Sequence, residues 1–291
     1  IGSVLLRKLL SKFKKAKLLV HIQDFEFDAV TDSNIVDTKK NKSNLFKLLF
    51  WIERKLLNSA DFVSSISESM VLKLDAKIKT SVKRKLLPNW VDLNFINPLK
   101  YNTHKYLTSS KFKILYSGNI GEKQDWNFFL KFAKSLEEIP NVEIVLVGNG
   151  GKREWLQEKL INSKNVSFYL PVAYNELSDL LCSADLHILF QKTEVIDTVM
   201  PSKILAMMAS QKPSLITGSL NSEVFTILNQ SKGGKYFDSN NINTVLNFVN
   251  ELILDKTLSE KYGKNARDFV SLNFSKKEIL KQFKTVFNDL N

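Results

Sequence analysis

Two lysine-bearing turns hold groups that could bind a phosphate. In the first, Ser117-Gly118-Asn119 and then Lys123 follow the apolar run from Phe112 to Tyr116. The second is Pro201-Ser202-Lys203, where the proline suits the first turn of a helix because its missing N–H costs nothing there. Free backbone N–H groups and a helix dipole favour an anion at such places. The turns predict two lysines beside a diphosphate, although glycine can also serve turn geometry alone.

Two further polar segments follow predicted strands. Gly148-Asn149-Gly150-Gly151 comes after an apolar run and would let backbone approach a ligand closely. His21 and Asp24 lie at the carboxyl end of another, and the carboxyl ends of strands are where open α/β sheets bind ligands. A lone histidine is more often structural, so both interpretations of His21 stay open.

The elements that must position these residues are apolar runs separated by helical patterns. This alternation predicts an α/β protein with parallel, doubly wound sheets. The predicted strands are Leu18 to Ile22, Phe62 to Ile66, Arg84 to Leu87, Phe112 to Tyr116, Val142 to Val147, Val166 to Leu170, Leu186 to Phe190, Ser214 to Thr217 and Lys235 to Phe237.

The predicted strands divide the chain into domains. Residues 1–88 have three strands, a partial N-terminal domain. Residues 89–110 contain proline, asparagine, threonine and serine without periodicity and are predicted to be a linker. Residues 111–270 have six strands, enough for a nucleotide-binding sheet, and residues 271–291 are predicted as a C-terminal helix that crosses back to the N-terminal domain.

Composition restricts the class of protein. The chain has 291 residues, of which 44% are hydrophobic and 25% charged, as in a globular protein of about two domains. The formal charge of +12 favours an anionic partner, namely a nucleotide, a nucleic acid or an acidic membrane surface, unless the lysines only solvate the surface. The single cysteine, Cys182, cannot form an intramolecular disulfide and is expected to be a buried, inert thiol.

Two basic amphipathic helices are predicted in the N-terminal half, over residues 1–17 and 41–60. Each could pack against a sheet, and the first could instead lie on a membrane. No apolar run approaches the roughly 18 residues that a membrane span needs. Because the chain begins with Ile1 and not methionine, we expect it to be a fragment that lacks its start.

Several segments together resemble the bacterial glycosyltransferases of family 4. The similarity is greatest to those that add fucosamine or related sugars in O-antigen, capsule or colanic-acid-type synthesis. It covers nearly the whole chain and is carried by HIQDF at 21–25, SISESM at 65–70, LPNWVD at 87–92, SGNIGEKQ at 117–124, SADLHILFQK at 183–192, VMPSK at 199–203 and MAS at 208–210.

The resemblance implies the GT-B fold, in which two Rossmann-like domains with parallel sheets face each other across a cleft. Here the N-terminal, acceptor-side domain would be incomplete. His21 and Asp24 would touch the acceptor or the transferred sugar as catalytic candidates. The implied donor-binding residues are Gly118, Asn119, Lys123, Gly148, Asp197, Thr198, Pro201, Ser202 and Lys203.

Three departures from the family pattern affect these assignments. Thr198 and Ala206 stand where the wider family has two glutamates, and Asp197 is a substitute for the missing carboxylate contact. Asn119 stands where many members have arginine. Asp125 and Gln211 replace glycines of the closer group, so Asp125 either caps a helix or weakens donor binding by its charge.

The resemblance further implies an enzyme that moves a sugar, with retention, from a UDP- or GDP-linked donor to a lipid-linked saccharide acceptor. Such an enzyme would be cytoplasmic and peripheral at the anionic inner face of the plasma membrane. Because no Asp-x-Asp occurs in the sequence, we expect no metal and no cofactor. The alternatives are a nucleotide-sugar epimerase, or a non-catalytic basic protein that binds membranes or nucleic acid. Nucleic acid is not the expected partner.

Overall fold

The structure is a computed structural model that describes residues 2–23, 44–194, 202–238 and 241–290. The chain divides into two compact units. The first contains the residues up to Asn89 together with those from Ile279 onward. The second contains most of the chain between Trp90 and Glu278.

The first unit is built on a small parallel sheet. Its described elements are α1 (Gly2–Lys14), β1 (Leu19–Ile22), α2 (Asn44–Leu57), β2 (Phe62–Ser65), α3 (Glu68–Asp75), β3 (Lys83–Leu86) and the C-terminal part of α11 (Lys276–Leu290). The strand order is β1-β2-β3. In register, Leu19 lies beside Phe62, which lies beside Lys83, and β2 is buried along its whole length.

Apolar side chains cover both faces of β2, because successive strand residues point to opposite sides. Val63 packs with Met70 and Leu74 of α3, whereas Phe62 packs with Leu87 and with Val286 of α11. The helix α3 begins as its sequence predicts. The Ser67 hydroxyl accepts a 3.2 Å hydrogen bond from the Met70 N–H and so caps the helix.

The helix α1 is amphipathic, as predicted, but it covers the core with only part of its surface. Val4 packs against the core of the first unit, and the Lys8 ammonium donates to the Ser59 carbonyl. Four apolar side chains of the same helix are more than half exposed, namely Leu6, Leu9, Leu10 and Phe13. Among the helices of the described ranges, none has the length and apolar character to cross a membrane.

The second unit contains a six-stranded parallel sheet flanked by helices. Its elements are β4 (Phe112–Ser117), α4 (Trp126–Leu136), β5 (Val142–Val147), α5 (Arg153–Lys159), β6 (Val166–Tyr169), α6 (Leu177–Ser183), β7 (Leu186–Phe190), α7 (Ser202–Ala209), β8 (Ser214–Thr217), α8 (Glu223–Ser231), β9 (Gly234–Phe237), α9 (Ile242–Leu254) and α10 (Lys256–Asn273). A 3-10 turn, Tyr174–Glu176, precedes α6.

The strand order of this sheet is β6-β5-β4-β7-β8-β9. The strands β4, β5 and β6 follow one another to one side of the sheet, and β7, β8 and β9 follow one another to the other side, as in dinucleotide-binding sheets. The order therefore reverses between β4 and β7, where the crevice at the strand ends receives ligands in such folds. The central strands β7 and β8 are buried along their whole length, as expected for a parallel sheet covered on both faces.

The predicted strands and helix patterns agree with these elements. The bounds of β5, β7 and β8 are those predicted, β3 is shifted by one residue at both ends, and the other strands differ by one residue at one end, where assignments commonly vary. The predicted helices over 1–17 and 41–60 are shorter in the described residues, at Gly2–Lys14 and Asn44–Leu57. Cys182 is buried, as predicted, and burial raises the pKa of its thiol to about 11.

The helix α10 packs closely on α7, the helix that carries Lys203. A Cβ atom on Gly263 would lie 2.1 Å from the Gln211 carbonyl oxygen, so only glycine fits this contact. Arg267 of α10 donates hydrogen bonds to the carbonyls of Leu93 (2.9 Å), Ile96 (2.6 Å) and Ala209. The C-terminal end of α7 is thereby bonded to the segment that follows Trp90.

Candidate functional site

The turn after β4 is bonded to the turn after β5. Gly118 has a φ of +142°, which an L side chain rarely adopts. Its N–H donates to the Val147 carbonyl at 2.9 Å, and the Ile120 N–H donates to the Asn149 carbonyl at 2.8 Å. These bonds bring the two predicted glycine turns together at the carboxyl edge of the sheet.

The two turns approach so closely that side chains are excluded. A Cβ atom on Gly148 would lie 1.9 Å from the Gly118 carbonyl oxygen. A Cβ atom on Gly150 would lie 2.5 Å from the Asn119 Oδ1 atom, which places the Asn119 side chain against this turn. The Arg153 guanidinium donates to the carbonyls of Gly148 (2.5 Å) and Tyr169 (2.9 Å), and so ties the ends of β5 and β6.

Lys203 lies against the first of these turns. It is the second residue of α7, and its Nζ lies 3.3 Å from the Tyr116 hydroxyl and 4.8 Å from the centre of that ring. The place that a Cβ atom on Gly118 would take is 2.9 Å from the same Nζ. The ammonium group therefore occupies the space that the missing side chain of Gly118 leaves open.

The loop that follows Gly118 is paired with the loop after β7. The Asp125 N–H donates to the Phe190 carbonyl at 3.0 Å, and the Lys192 N–H donates to the Lys123 carbonyl at 3.1 Å. Gln124 and Gln191 form an isolated antiparallel bridge. Lys123, whose side chain is exposed, thus lies at the point where the strand order reverses.

Further charges surround Lys123 on the same edge. The Glu122 carboxylate lies 2.9 Å from the Lys152 ammonium and 3.9 Å from the Lys192 ammonium, with the glutamate side chain 71% exposed. Sequence reasoning did not select Lys152, Lys192 or Arg153. Their positions in the sequence, within five residues after Gly148 or Phe190, could have indicated that they lie at strand ends.

Asp125 caps the helix α4. Its carboxylate accepts a 2.9 Å hydrogen bond from the Phe128 N–H, as an N-cap residue does. Of the two interpretations of this unusual aspartate, helix capping is therefore confirmed. The indole N–H of Trp126 donates to the Gly121 carbonyl at 2.8 Å, so the start of α4 also holds the glycine turn.

Several predicted site residues fall outside the described residues. These are Asp24, Asp197, Thr198 and Pro201. The structure describes the backbone of Ser202, at which α7 begins as predicted, but not its side chain. The donor-binding roles of the predicted residues stay predictions. What the structure brings together is Gly118, Asn119, Gly148 and Lys203.

His21 lies in the first unit at the carboxyl end of β1. Its Nδ1 is 2.9 Å from the Ser64 hydroxyl, and its ring makes an edge contact with Phe283 at 5.4 Å between centroids. Burial lowers the pKa of this imidazole from its ordinary value. The Ser65 hydroxyl donates to the Ile22 carbonyl at 3.0 Å, so serines of β2 support both final residues of β1.

Sequence comparisons with known proteins identify similar glycosyl transferases. The profile of the family "Glycosyl transferases group 1" matches residues 103–269. The WcaI protein of Escherichia coli K12, whose name gives it a glycosyl transferase role in colanic acid biosynthesis, is 28% identical over 286 residues. This match covers 95% of the chain and 69% of WcaI.

Solved structures show the same fold at low identity. Anabaena Alr3699/HepE in complex with UDP is 15% identical and superposes with a TM-score of 0.71, over 99% of this chain and 77% of that one. WaaG, a glycosyltransferase involved in lipopolysaccharide biosynthesis, is 14% identical with a TM-score of 0.63, over 87% and 70%. The predicted GT-B fold is confirmed.

The family profile spans more than half of the chain, including β4 to β9 and every described residue of the lysine and glycine turns. Proteins that match this profile are glycosyl transferases, so the prediction of an enzyme is confirmed. The chain belongs to the family of glycosyl transferases of group 1.

Proposed function

We propose that the second unit binds a nucleotide-diphosphate sugar, and that the protein transfers the sugar in the synthesis of a surface polysaccharide. One observation carries the proposal. The Lys203 ammonium lies against the turn at Gly118, beside the point where the strand order of a six-stranded parallel sheet reverses. A cation, a glycine turn and the start of α7 meet there, as an anionic diphosphate requires.

The chemistry needs a stable leaving group. As the bond from the sugar to the diphosphate breaks, negative charge grows on the departing phosphate while the anomeric carbon becomes cationic. Fixed cations and N–H groups stabilise that charge without reorganising. We assign this role to Lys203, Lys123 and the start of α7. With no Asp-x-Asp in the sequence, the proposed reaction is independent of metal, and the resemblance to family 4 supports retention of the anomeric configuration.

The donor in this proposal is UDP-linked or GDP-linked. Structures of the similar HepE protein contain UDP and UDP-glucose, which favours UDP. The name of WcaI places that relative in colanic acid biosynthesis, which favours a role in O-antigen, capsule or colanic-acid-type polysaccharides. The two relatives support the donor and the type of product separately.

The acceptor in this proposal is a lipid-linked saccharide, used at the inner face of the plasma membrane by a peripheral, cytoplasmic protein. The formal charge of +12 and the exposed apolar side chains of α1 between basic residues support attraction to an anionic lipid surface. His21, held by Ser64 at the end of β1, is proposed to contact the acceptor or the transferred sugar.

The test is a thermal-shift screen with UDP, GDP, ADP and their sugars. A bound ligand raises the melting temperature because it stabilises the folded state by RT ln(1 + [L]/Kd). We expect one nucleoside diphosphate to stabilise the protein, and EDTA to leave that stabilisation intact. Absence of binding by every nucleotide would overturn the donor site. A strict requirement for Mn²⁺ or Mg²⁺ would overturn only its metal independence.

A further inference from the structure

We propose that Tyr116 is a positioning residue for the donor diphosphate, and that it acts by holding the Lys203 ammonium over the turn at Gly118. The inference rests on the proposed function, because it assigns a means of orienting the cation in that same site. Three contacts of the Tyr116 side chain carry it.

The first contact is the hydrogen bond that the Tyr116 hydroxyl donates. It reaches the Asn119 carbonyl at 2.5 Å and so closes the turn that begins at Ser117. The ring is 2% exposed, and burial raises the pKa of the phenol, which therefore stays protonated and able to donate. The hydroxyl proton is thus used in the hydrogen bond to the Asn119 carbonyl.

The second and third contacts are with Lys203. The Nζ atom donates to the same hydroxyl oxygen at 3.3 Å and lies 4.8 Å from the ring centre. A phenol oxygen that donates one hydrogen bond can still accept another. The aromatic face also attracts a cation. Tyr116 therefore joins a residue of α7 to the end of β4, although 87 positions separate the two in the sequence.

Gly118 completes this arrangement. A methyl group at position 118 would lie 2.9 Å from the Lys203 Nζ and 3.3 Å from its Cε, so the ammonium keeps its place only while residue 118 has no side chain. Gly118, Tyr116 and Lys203 should accordingly act as one unit. Loss of the Tyr116 hydroxyl or a side chain at position 118 would misplace the cation, and either change should add little once Lys203 is replaced.

The matched variant is Tyr116→Phe, which keeps the ring and removes the hydroxyl. Tyr101→Phe is its control, because it removes the same hydroxyl group from a side chain that is 37% exposed. The neighbouring Asn102 N–H donates to Asp179 of α6, and not to a residue of the lysine and glycine turns. UDP and uridine are the probes, both measured by titration calorimetry in wild-type protein, in each single variant, in Lys203→Ala and in the double variant Tyr116→Phe with Lys203→Ala.

We expect Tyr116→Phe to weaken UDP binding about fivefold to tenfold while uridine binding stays unchanged, since only the diphosphate meets the cation. In the Lys203→Ala background the same change should cost less than twofold. Gly118→Ala should lose at least as much UDP affinity as Lys203→Ala, because the added methyl group would displace the ammonium and strain the turn at a φ of +142°. Tyr101→Phe should bind both ligands as the wild type does.

Equal loss of UDP and uridine, or an undiminished effect in the Lys203→Ala background, would overturn the positioning role and leave the donor site standing. Unchanged UDP binding by Tyr116→Phe would do the same. Wild-type protein that binds no nucleotide at all would overturn the proposed function, and the role of Tyr116 with it. The two failures are therefore distinguishable from the wild-type titration alone.

Discussion

At the carboxyl edges of the two sheets, different chemical groups form the hydrogen bonds between strand ends. In the second unit, backbone joins backbone, with the Gly118 N–H on the Val147 carbonyl and the Gly148 N–H on the Tyr169 carbonyl at 3.1 Å. The Arg153 side chain adds to these bonds, and in the first unit serine side chains of β2 support the end of β1. The Ser64 hydroxyl meets His21, and the Ser65 hydroxyl meets the Ile22 carbonyl.

The difference shows what each edge can recognise. An edge of glycine turns lets a ligand approach the main chain and the Lys203 ammonium closely, which suits the oxygen atoms of a phosphate whatever is attached to it. The Ser64 and Ser65 hydroxyls are fully buried, so they hold the last residues of β1 in fixed positions and do not themselves face a ligand. The comparison can be tested at each edge.

The largest effect is expected from Gly148→Ala. Because its Cβ atom would lie 1.9 Å from the Gly118 carbonyl oxygen, the turns must separate, at a cost of about 3 kcal/mol or more in the free energy of unfolding. Gly151→Ala is the control, since a Cβ there meets nothing within 4 Å, and it should change stability by about 0.5 kcal/mol or less. Urea unfolding of both variants measures this, and equal losses would refute the close approach.

The next effect concerns acid stability of the second unit. Burial of the His187 imidazole, 2.8 Å from the Ser210 hydroxyl, lowers its pKa from 6.5 to about 3. The unfolded chain takes up this proton first. The free energy of unfolding should therefore fall by about 1.4 kcal/mol per pH unit as the pH drops below 6.5, until the folded pKa is passed.

The comparison for that prediction is His187→Gln, which keeps a hydrogen-bonding side chain and cannot titrate. Urea unfolding at pH 7, 6 and 5 should give the variant a shallower slope than the wild type, whatever its absolute stability. His21→Asn in the first unit should change the slope less, because only part of that ring is buried. Parallel slopes for all three proteins would show that His187 does not limit acid stability.

Lys203→Ala should weaken UDP binding by about 1.5 to 3 kcal/mol, as expected for a lost charge-assisted hydrogen bond. Lys123→Ala should lose only about 1 kcal/mol, because that side chain is exposed and water screens its charge. Lys264→Ala, on an exposed face of α10, is the control and should bind normally. Calorimetry that found Lys203→Ala unaffected would remove the phosphate role from this edge.

The smallest effect is expected in the first unit. Ser64→Ala removes the partner of the His21 Nδ1 and should cost about 1 kcal/mol of stability, since one hydrogen bond is lost without a clash. UDP binding should not change, because the donor site uses no residue of that sheet. A Ser64→Ala protein with impaired UDP binding would break the separation of the two edges. Val63→Ala, in the same strand, controls for a general loss of packing.

Much of the fold followed from local patterns. The strands β5, β7 and β8 are apolar runs bounded by polar residues, and a parallel sheet covered on both faces buries such runs whole. The glycine and lysine turns were predicted for the same reason, since each directly follows a strand or opens a helix. Asp125 could also be interpreted correctly as a cap from its place before Trp126.

Other features of the site could not be predicted from local pattern. Tyr116 was predicted only as the last residue of a strand, yet its hydroxyl contacts Lys203, 87 positions away. The strand order, which places β7 beside β4, decides that contact, and no local periodicity encodes it. Arg153 was missed likewise, because its partners are the backbone carbonyls of two different strand ends.

The position of α11 has a consequence for the order in which the chain folds during synthesis. Phe62 and Leu87 of the first unit bury their side chains against Val286, with Phe283 and Leu290 beside them. A ribosome delivers those partners about two hundred residues later, at roughly 5–20 residues per second. The unit made first therefore completes its core last, and removal of residues 279–290 would expose the buried side chains of Phe62 and Leu87.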